Sequence, residues 1–306
     1  MSFWKGKEVL VTGASGFTGS HLCRELVNQG ANVRGLVKEL KLQRLKDLMG
    51  KVSIVQGNVM DLELLKSVCD DIDYAFHPAA IVPVKEAQEN PQKAFEVNGI
   101  GSWNLASALV KAEVKKMLHI STCHIYGNQR CLPIDEKTLP NPQDVYAASK
   151  YSAEIFLQSL IAEGAPIVIS RSFAFYGEGQ GDQYLIPRII IQLLKGEKPR
   201  LGSPKPSRDY SHITDIVKGY LTLLEKGEVG KIYHLSSQKE TTVSEMYDLI
   251  AQAVGTKVEP EWYESFRKND ILRLYGTSIE AREFGWKPEV SLKERLKRTV
   301  EWFRCN

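Results

Sequence analysis

The chain has 306 residues, 43% hydrophobic and 25% charged, with a formal net charge of +3. That balance fits a globular protein of one large or two small domains; it is too weakly basic to imply nucleic acid, though a local basic pocket for a phosphorylated ligand is compatible with it. Five cysteines (Cys23, Cys69, Cys123, Cys131, Cys305) without a CxxC argue against a disulfide framework or zinc site and for a reducing, cytoplasmic setting; no signal peptide is read at the N-terminus, and no stretch is long enough to span a bilayer.

Glu8–Val11 reads as a short apolar strand. It runs into Val11-Thr12-Gly13-Ala14-Ser15-Gly16-Phe17-Thr18-Gly19. From Gly16 to Gln29 the apolar residues Leu22, Leu26 and Val27 follow helical spacing, and Gly30 is a stop signal. Gly13, Gly16 and Gly19 are therefore spaced GxxGxxG between a strand and a helix. Backbone can approach a dinucleotide pyrophosphate closely there, and helix N-terminal amides meet its charge. Ser15, Phe17 and Thr18 belong to the same turn and are read with it as cofactor contacts.

Asn32–Val37 predicts the second strand. An acid at its end would suit an unphosphorylated adenosine ribose. The sequence instead reads Arg34-Gly35-Leu36-Val37-Lys38, with no acid before Glu39. Arg34 and Lys38 could hold a 2′-phosphate, so NADP(H) is favoured over NAD(H); the alternative is two solvated cations.

Strands follow at Val52–Gln56, Tyr74–His77, Lys116–Ile120 and Ile167–Ser170. Helices are expected at about Leu42–Met49, Leu62–Val68, Pro91–Lys111 and Val145–Glu163. The alternation predicts an α/β fold: a Rossmann-like, doubly wound parallel sheet with helices on both faces. Residues 1–176 would form this nucleotide domain. After Tyr176 come a Gly-rich loop at 177–182, a helix at Pro187–Lys195 and an extended, Pro-containing loop at Lys198–Arg208. A helix at Asp215–Lys226 and a strand at Lys231–Leu235 would return to the sheet, and helices close the chain at Ser244–Val254 and Leu292–Phe303. Residues 177–306 thus read mainly as a smaller substrate-binding lobe.

Tyr146-Ala147-Ala148-Ser149-Lys150 puts a phenol and an ammonium on one helix face. Free tyrosine, with a pKa of about 10, is a poor base at neutrality. A nearby ammonium and a positive nicotinamide both favour the phenolate. Lys150 can also hold the nicotinamide ribose. Ser121-Thr122-Cys123-His124-Ile125-Tyr126-Gly127 lies at a strand's carboxyl end, where open α/β sheets bind ligands. Thr122 can hydrogen-bond a reacting oxygen, or cap the backbone. Cys123 and His124 are possible participants, with a buried small residue and a structural histidine as the alternatives.

At these residues the chain resembles the extended short-chain dehydrogenase/reductase superfamily, in its NAD-dependent epimerase/dehydratase branch. Thr12–Gly19 resembles its TGxxGFxG, and Gly57-Asn58-Val59-Met60-Asp61 its adenine-contacting GDxxD, with Asn58 for the usual acid. Phe76-His77-Pro78-Ala79-Ala80 is similar to the HxAA wall, Val97-Asn98-Gly99 to the NxxG region, and Ser121–Gly127 to the SSxxVYG loop. Arg208–Asp215 is similar to RDxxHVxD and Phe284–Pro288 to LGWxP. The resemblance implies cofactor contacts at Asn58, Val59, Ala79, Ala80 and Asn98, catalytic roles for Thr122, Tyr146 and Lys150, and diphosphate contacts at Arg208 and Arg267. Two departures stand out: Cys123 and His124 replace the acidic pair of the 4,6-dehydratases, and Ala174 replaces the asparagine of RxxN.

The resemblance implies a nucleoside-diphosphate sugar as substrate and hydride transfer at its C4. A 4-epimerase ranks first, an NADPH-dependent 4-keto-sugar reductase second and a 4,6-dehydratase third; a non-catalytic cofactor sensor is the reading from another class. It also implies a homodimer built on the helices near Pro91–Lys111 and Val145–Glu163.

Overall fold

The computed structural model describes residues 2–82, 84–263 and 270–306. Strands β1 (Glu8–Thr12), β2 (Asn32–Val37), β3 (Val52–Gln56), β4 (Tyr74–His77), β5 (Lys116–Thr122) and β6 (Ile167–Ser172) form one parallel sheet. Three segments outside this sheet follow, β7 (Ala174–Tyr176), β8 (Arg200–Leu201) and β9 (Ser207–His212), before β10 (Ile232–Leu235) returns to the sheet edge beside β6. The order is β10-β6-β5-β4-β1-β2-β3. Strand order reverses between β1 and β4, and ligands of such sheets bind outside the carboxyl ends at that switch.

The helices are α1 (Phe17–Asn28), α2 (Leu62–Val68), α3 (Val84–Glu89), α4 (Pro91–Phe95), α5 (Gly101–Lys111), α6 (Val145–Ala162), α7 (Leu185–Leu194), α8 (Ile213–Lys226), α9 (Val243–Val254), α10 (Ile279–Glu283) and α11 (Leu292–Cys305). Alternate strand residues separate into two cores, as a pleat requires. Val9, Val11, Leu118, Ile120 and Val168 pack with Leu22 and Leu26 of α1 and Ile216, Val217 and Tyr220 of α8. Leu10, Ala75, Met117, Ile167 and Ile169 face Leu65 of α2, Leu105 and Leu109 of α5 and Leu157 of α6. Each fully buried side chain of this kind contributes roughly 1.5–3 kcal/mol.

The parallel sheet expected from the sequence is present. Several local features differ. Residues Gln43–Leu48 form a 3₁₀ helix rather than an α-helix. The expected single helix over 91–111 is interrupted by a π-helical turn at Glu96–Ile100. Such a turn adds a residue to the helix and redirects the side chains on it. Helix α7 begins at Leu185, so Pro187 falls in its first turn, where a missing N–H costs little. The segment read as an extended loop at 198–208 contains β8 and starts β9. Strand β9 pairs with β7, with β11 (Glu240–Thr242) and with β13 (Arg273–Leu274), while β8 pairs with β12 (Glu261–Trp262). Strands of two or three residues leave too short a pattern to read from sequence.

Candidate active site

The glycine turn follows β1. Gly13 has φ +59, a left-handed conformation that favours glycine, and an added Cβ would meet the Ala79 Cα at 3.0 Å. A Cβ on Gly19 would stand 2.2 Å from the Gly13 carbonyl oxygen. Helix α1 has Gly16 at its N-cap, with no side-chain cap and no acid in its first turn. Its leading amides are thus left to an external acceptor, and a phosphate suits them in charge and direction.

A buried polar scaffold holds the wall opposite. His77 Nδ1 lies 2.7 Å from Thr12 Oγ1, and His77 Nε2 lies 2.9 Å from Ser102 Oγ. Thr12 Oγ1 accepts from the Ala79 amide at 3.3 Å. Asn98, inside the π turn, accepts from the Ile81 amide at 2.7 Å and donates to the Ile81 carbonyl at 3.0 Å and to Ser149 Oγ at 2.9 Å. Ser149 in turn donates to the Tyr146 carbonyl. The π turn is what points Asn98 inward. Asn98 is therefore a brace between the 79–81 segment and α6. Burial pushes the His77 imidazole down to about 3, so it is neutral at ordinary pH.

Helix α6 carries the groups expected to react, Tyr146 and Lys150. Asp144 caps it, accepting from the Ala147 amide at 2.8 Å. Tyr146 and Lys150 are both buried, one turn apart. Burial raises the Tyr146 phenol above its ordinary value, and the hydrogen bond from the Thr122 hydroxyl opposes that rise. Thr122 ends β5 and also accepts from the His124 amide at 3.2 Å. Lys150 is 2% exposed, and its Nζ has no hydrogen-bond partner among the described residues. A buried ammonium with no protein hydrogen-bond partner among the described residues fits the ribose hydroxyls of a dinucleotide. Burial also lowers Lys150 to about 8, with Glu154 opposing.

Cys123 and His124 occupy the short 3₁₀ turn after Thr122. Burial pushes the Cys123 thiol up to about 12, so it stays a thiol at neutrality. The His124 ring lies 5.8 Å from the Tyr146 ring, edge to face, and its Nδ1 is 3.9 Å from Asp144 Oδ2.

A family model described as the NAD dependent epimerase/dehydratase family matches residues 9–236. The chain belongs to that family. It is an enzyme of the extended short-chain dehydrogenase type. A putative UDP-glucose 4-epimerase of Methanocaldococcus jannaschii is 30% identical over 97% of this chain and 99% of its own length. The dTDP-D-glucose 4,6-dehydratase of Homo sapiens is 32% identical over 98% and 91%. Among solved structures, UDP-glucose 4-epimerase of Thermotoga maritima with UDP-glucose superposes with a TM-score of 0.91 at 29% identity, covering 97% of this chain and 99% of that one. A Streptomyces venezuelae dTDP-glucose 4,6-dehydratase with NAD bound gives 0.93 at 27% identity, covering 98% and 97%.

For this member of the epimerase/dehydratase family, two sequence expectations need correction or relocation. Arg34 is not a free cation at the ribose: its Nη1 donates to the Val68 carbonyl at 2.9 Å and the Asp70 carbonyl at 2.8 Å, satisfying the end of α2. It sits three residues before the carboxyl end of β2, facing a helix terminus whose carbonyls need donors. Lys38, just past that end, is exposed, and neighbouring Glu39 pairs with Lys41 at 2.7 Å. Asn58 begins the turn after β3, where its Oδ1 accepts from the Met60 amide at 3.1 Å and Val59 is buried beside it. Arg208 lies on β9, and its guanidinium acts on both the Cys123 thiol and the Tyr210 phenol. Its Nη1 donates to the Ser207 carbonyl at 2.8 Å. Arg267 lies outside the described residues.

Sequence reasoning missed the polar brace of Thr12, Ser102 and Ser149, and it missed Asp144 beside His124. It also missed Glu154, although the spacing Tyr146, Lys150, Glu154 signals one continuous helix face. Arg171, the first residue of the altered RxxN motif, forms a buried pair with Glu154.

Proposed function

We propose that the chain is a nucleoside-diphosphate-sugar 4-epimerase that uses NAD(H). The observation that carries the reading is the buried Tyr146 phenol, on which the Thr122 hydroxyl acts, followed one turn on by Lys150, whose Nζ has no hydrogen-bond partner among the described residues. A bound nicotinamide dinucleotide supplies the hydride acceptor and donor. The protein does the rest. Thr122 holds the sugar C4 oxygen, and Tyr146 takes its proton as hydride leaves C4. Lys150 favours the phenolate and binds the ribose. The keto sugar turns in the cleft, and Tyr146 returns the proton as hydride comes back to the opposite face. Arg208 suits the diphosphate, since a guanidinium matches phosphate oxygens in charge and fork geometry. Arg267 remains the second diphosphate ligand in this proposal on its sequence position alone.

NAD(H) replaces the NADP(H) expected from the sequence because Arg34 is engaged at α2. Relatives that carry a sugar nucleotide or NAD support the ligand classes. Cys123, kept protonated by burial, is a weak acid and gives the 4,6-elimination little help. One observation favours that second reading all the same: His124 and Asp144 together offer an acid/base group near Tyr146. Half-exposed apolar side chains at Phe95, Ile100, Trp103, Val110, Ile155 and Phe156 on α4 to α6 suit a homodimer; a monomeric mass by light scattering would remove it. Free thiols at all five cysteines suit a reducing, cytoplasmic compartment.

The test uses UDP- and dTDP-glucose deuterated at C4, read by NMR. The 4-epimer with deuterium retained at C4 supports the proposal. A 4-keto-6-deoxy product would assign the dehydratase reaction instead. Turnover of a 4-keto sugar with stoichiometric NADPH loss would assign the reductase.

A further inference from the structure

Glu154 is a carboxylate with no solvent access, set between α6 and the sheet. It lies one turn beyond Lys150, a spacing that sets the two side chains on the same inner face of α6. Three groups on the strands close around it. Ser121 on β5 donates to Oε1, in a very short contact. Arg171 on β6 donates through Nε to both carboxylate oxygens at 3.2 Å and through Nη2 to Oε2 at 2.6 Å. The same guanidinium donates through Nη1 to the Tyr126 hydroxyl at 2.7 Å, and that hydroxyl lies 2.6 Å from His234 Nε2. His234 Nδ1 closes the chain on the Thr277 carbonyl at 3.1 Å.

The groups acting on Lys150 can be named by element. Tyr146 and Glu154 share its helix; His77 on β4 and His119 on β5 face it from the sheet; Arg171 on β6 reaches it through Glu154. Burial keeps both imidazoles neutral, and neither ring nitrogen of His119 has a partner among the described residues. Glu154 is the negative group in this set. Glu154 is thus paired directly with Arg171, and its charge also reaches the buried Lys150 one turn away without a direct ion pair.

We infer that Glu154 is a positioning residue for the Tyr146–Lys150 pair: it is the counter-ion Lys150 depends on, and Arg171 sets how much of its charge Lys150 receives. A lysine taken out of water sheds its proton unless an opposite charge is near. Without that proton Lys150 can no longer favour the phenolate. The inference rests on the proposed function for its catalytic meaning, but not for its geometry.

The sign can be worked out for each partner. Glu154→Gln removes the charge that opposes desolvation, so Lys150 loses its proton at lower pH. Arg171→Met removes a competing cation and leaves Glu154 to Lys150 alone, so the proton is held to higher pH. Mere loosening of the fold would move both variants the same way. The experiment follows lysine labelled with ¹³C at Cε in the whole chain without cofactor, with Lys150→Arg assigning the signal. Wild-type Lys150 should titrate at about 8, Glu154→Gln lower and Arg171→Met higher, each by about one pH unit. An unmoved Glu154→Gln, or shifts of one sign, overturns the inference. If Glu154→Gln does not fold, Arg171→Met alone decides: an unmoved or lowered titration overturns it. As a second readout, the alkaline limb of kcat/KM should follow the NMR value in each folded variant. Opposite NMR shifts in a protein that leaves sugar C4 untouched would retain the inference and discard the proposed function.

Discussion

The two faces of the seven-stranded sheet are built from the same strands but from different materials. Toward α1 and α8 the buried side chains are Val9, Val11, Phe76, Leu118, Ile120 and Val168, with Ser170 and Ser172 as the polar exceptions. Toward α5 and α6 the carboxyl ends of the strands carry Thr12, His77, His119, Ser121 and Arg171, all buried. Alternation along a strand is enough to separate them. One face concentrates stability; the other spends some of it to hold titratable groups dry, where fields between charges are strongest. The proposed reacting pair on α6, Tyr146 and Lys150, lies over the second face.

Replacement of Tyr146 by Phe should separate the faces most sharply. The change removes one hydroxyl from the polar face, and kcat should fall about 10²–10⁴-fold with the unfolding midpoint little moved. Retained turnover would remove the phenol from the chemistry, whereas a non-catalytic cofactor sensor would show no turnover to lose and keep its output in this variant. Leu118→Ala makes the opposite cut, on the apolar face. It should cost about 2–5 kcal/mol by denaturant titration while kcat per folded molecule stays the same. A large loss of kcat there would mean that the faces are not separable.

The smaller effect is pH-dependent. Imidazoles unfold into water and take up a proton near pH 6.5, whereas folded His77 and His234, lowered to about 3, do not. His119 is lowered in the same direction by burial. The unfolded state therefore binds more protons below pH 6.5. Stability is fully present above that value and is lost as pH falls toward 3, at about 1.4 kcal/mol per pH unit for each imidazole. His119→Leu should flatten the slope by one such step in a series of denaturation curves from pH 7 to 5. An unchanged slope would mean that His119 is already charged in the folded protein.

How much of this was legible depends on how local each signal is. The glycine turn, the strands of the large sheet, and Tyr146 with Lys150 depend on near neighbours in sequence and were read in place. The π turn at Glu96–Ile100 was not, because one inserted residue looks like a small drift in helical phase. The small sheet around β9 hides because the strands that pair with β9 are too short to show alternation. Arg34 was read by its charge alone; its depth within β2, three residues short of the strand's end, was the neglected clue. The Glu154–Arg171 pair joins a helix to a strand, and no spacing rule connects two such positions.

The return of β10 to the outer edge of β6 has a consequence in time. The ribosome delivers β6 well before β10, and β7, β8, β9, α7 and α8 come between. During that interval the β6 edge has no neighbour, and His234, the far end of the polar chain from Glu154, has not been made. Both faces wait for late elements: the apolar face for α8 and for Tyr233 and Leu235 of β10, the polar face for His234 of the same strand. A nascent chain halted ahead of Ile232 would carry every reacting residue named above and still lack the frame that holds Arg171 in place.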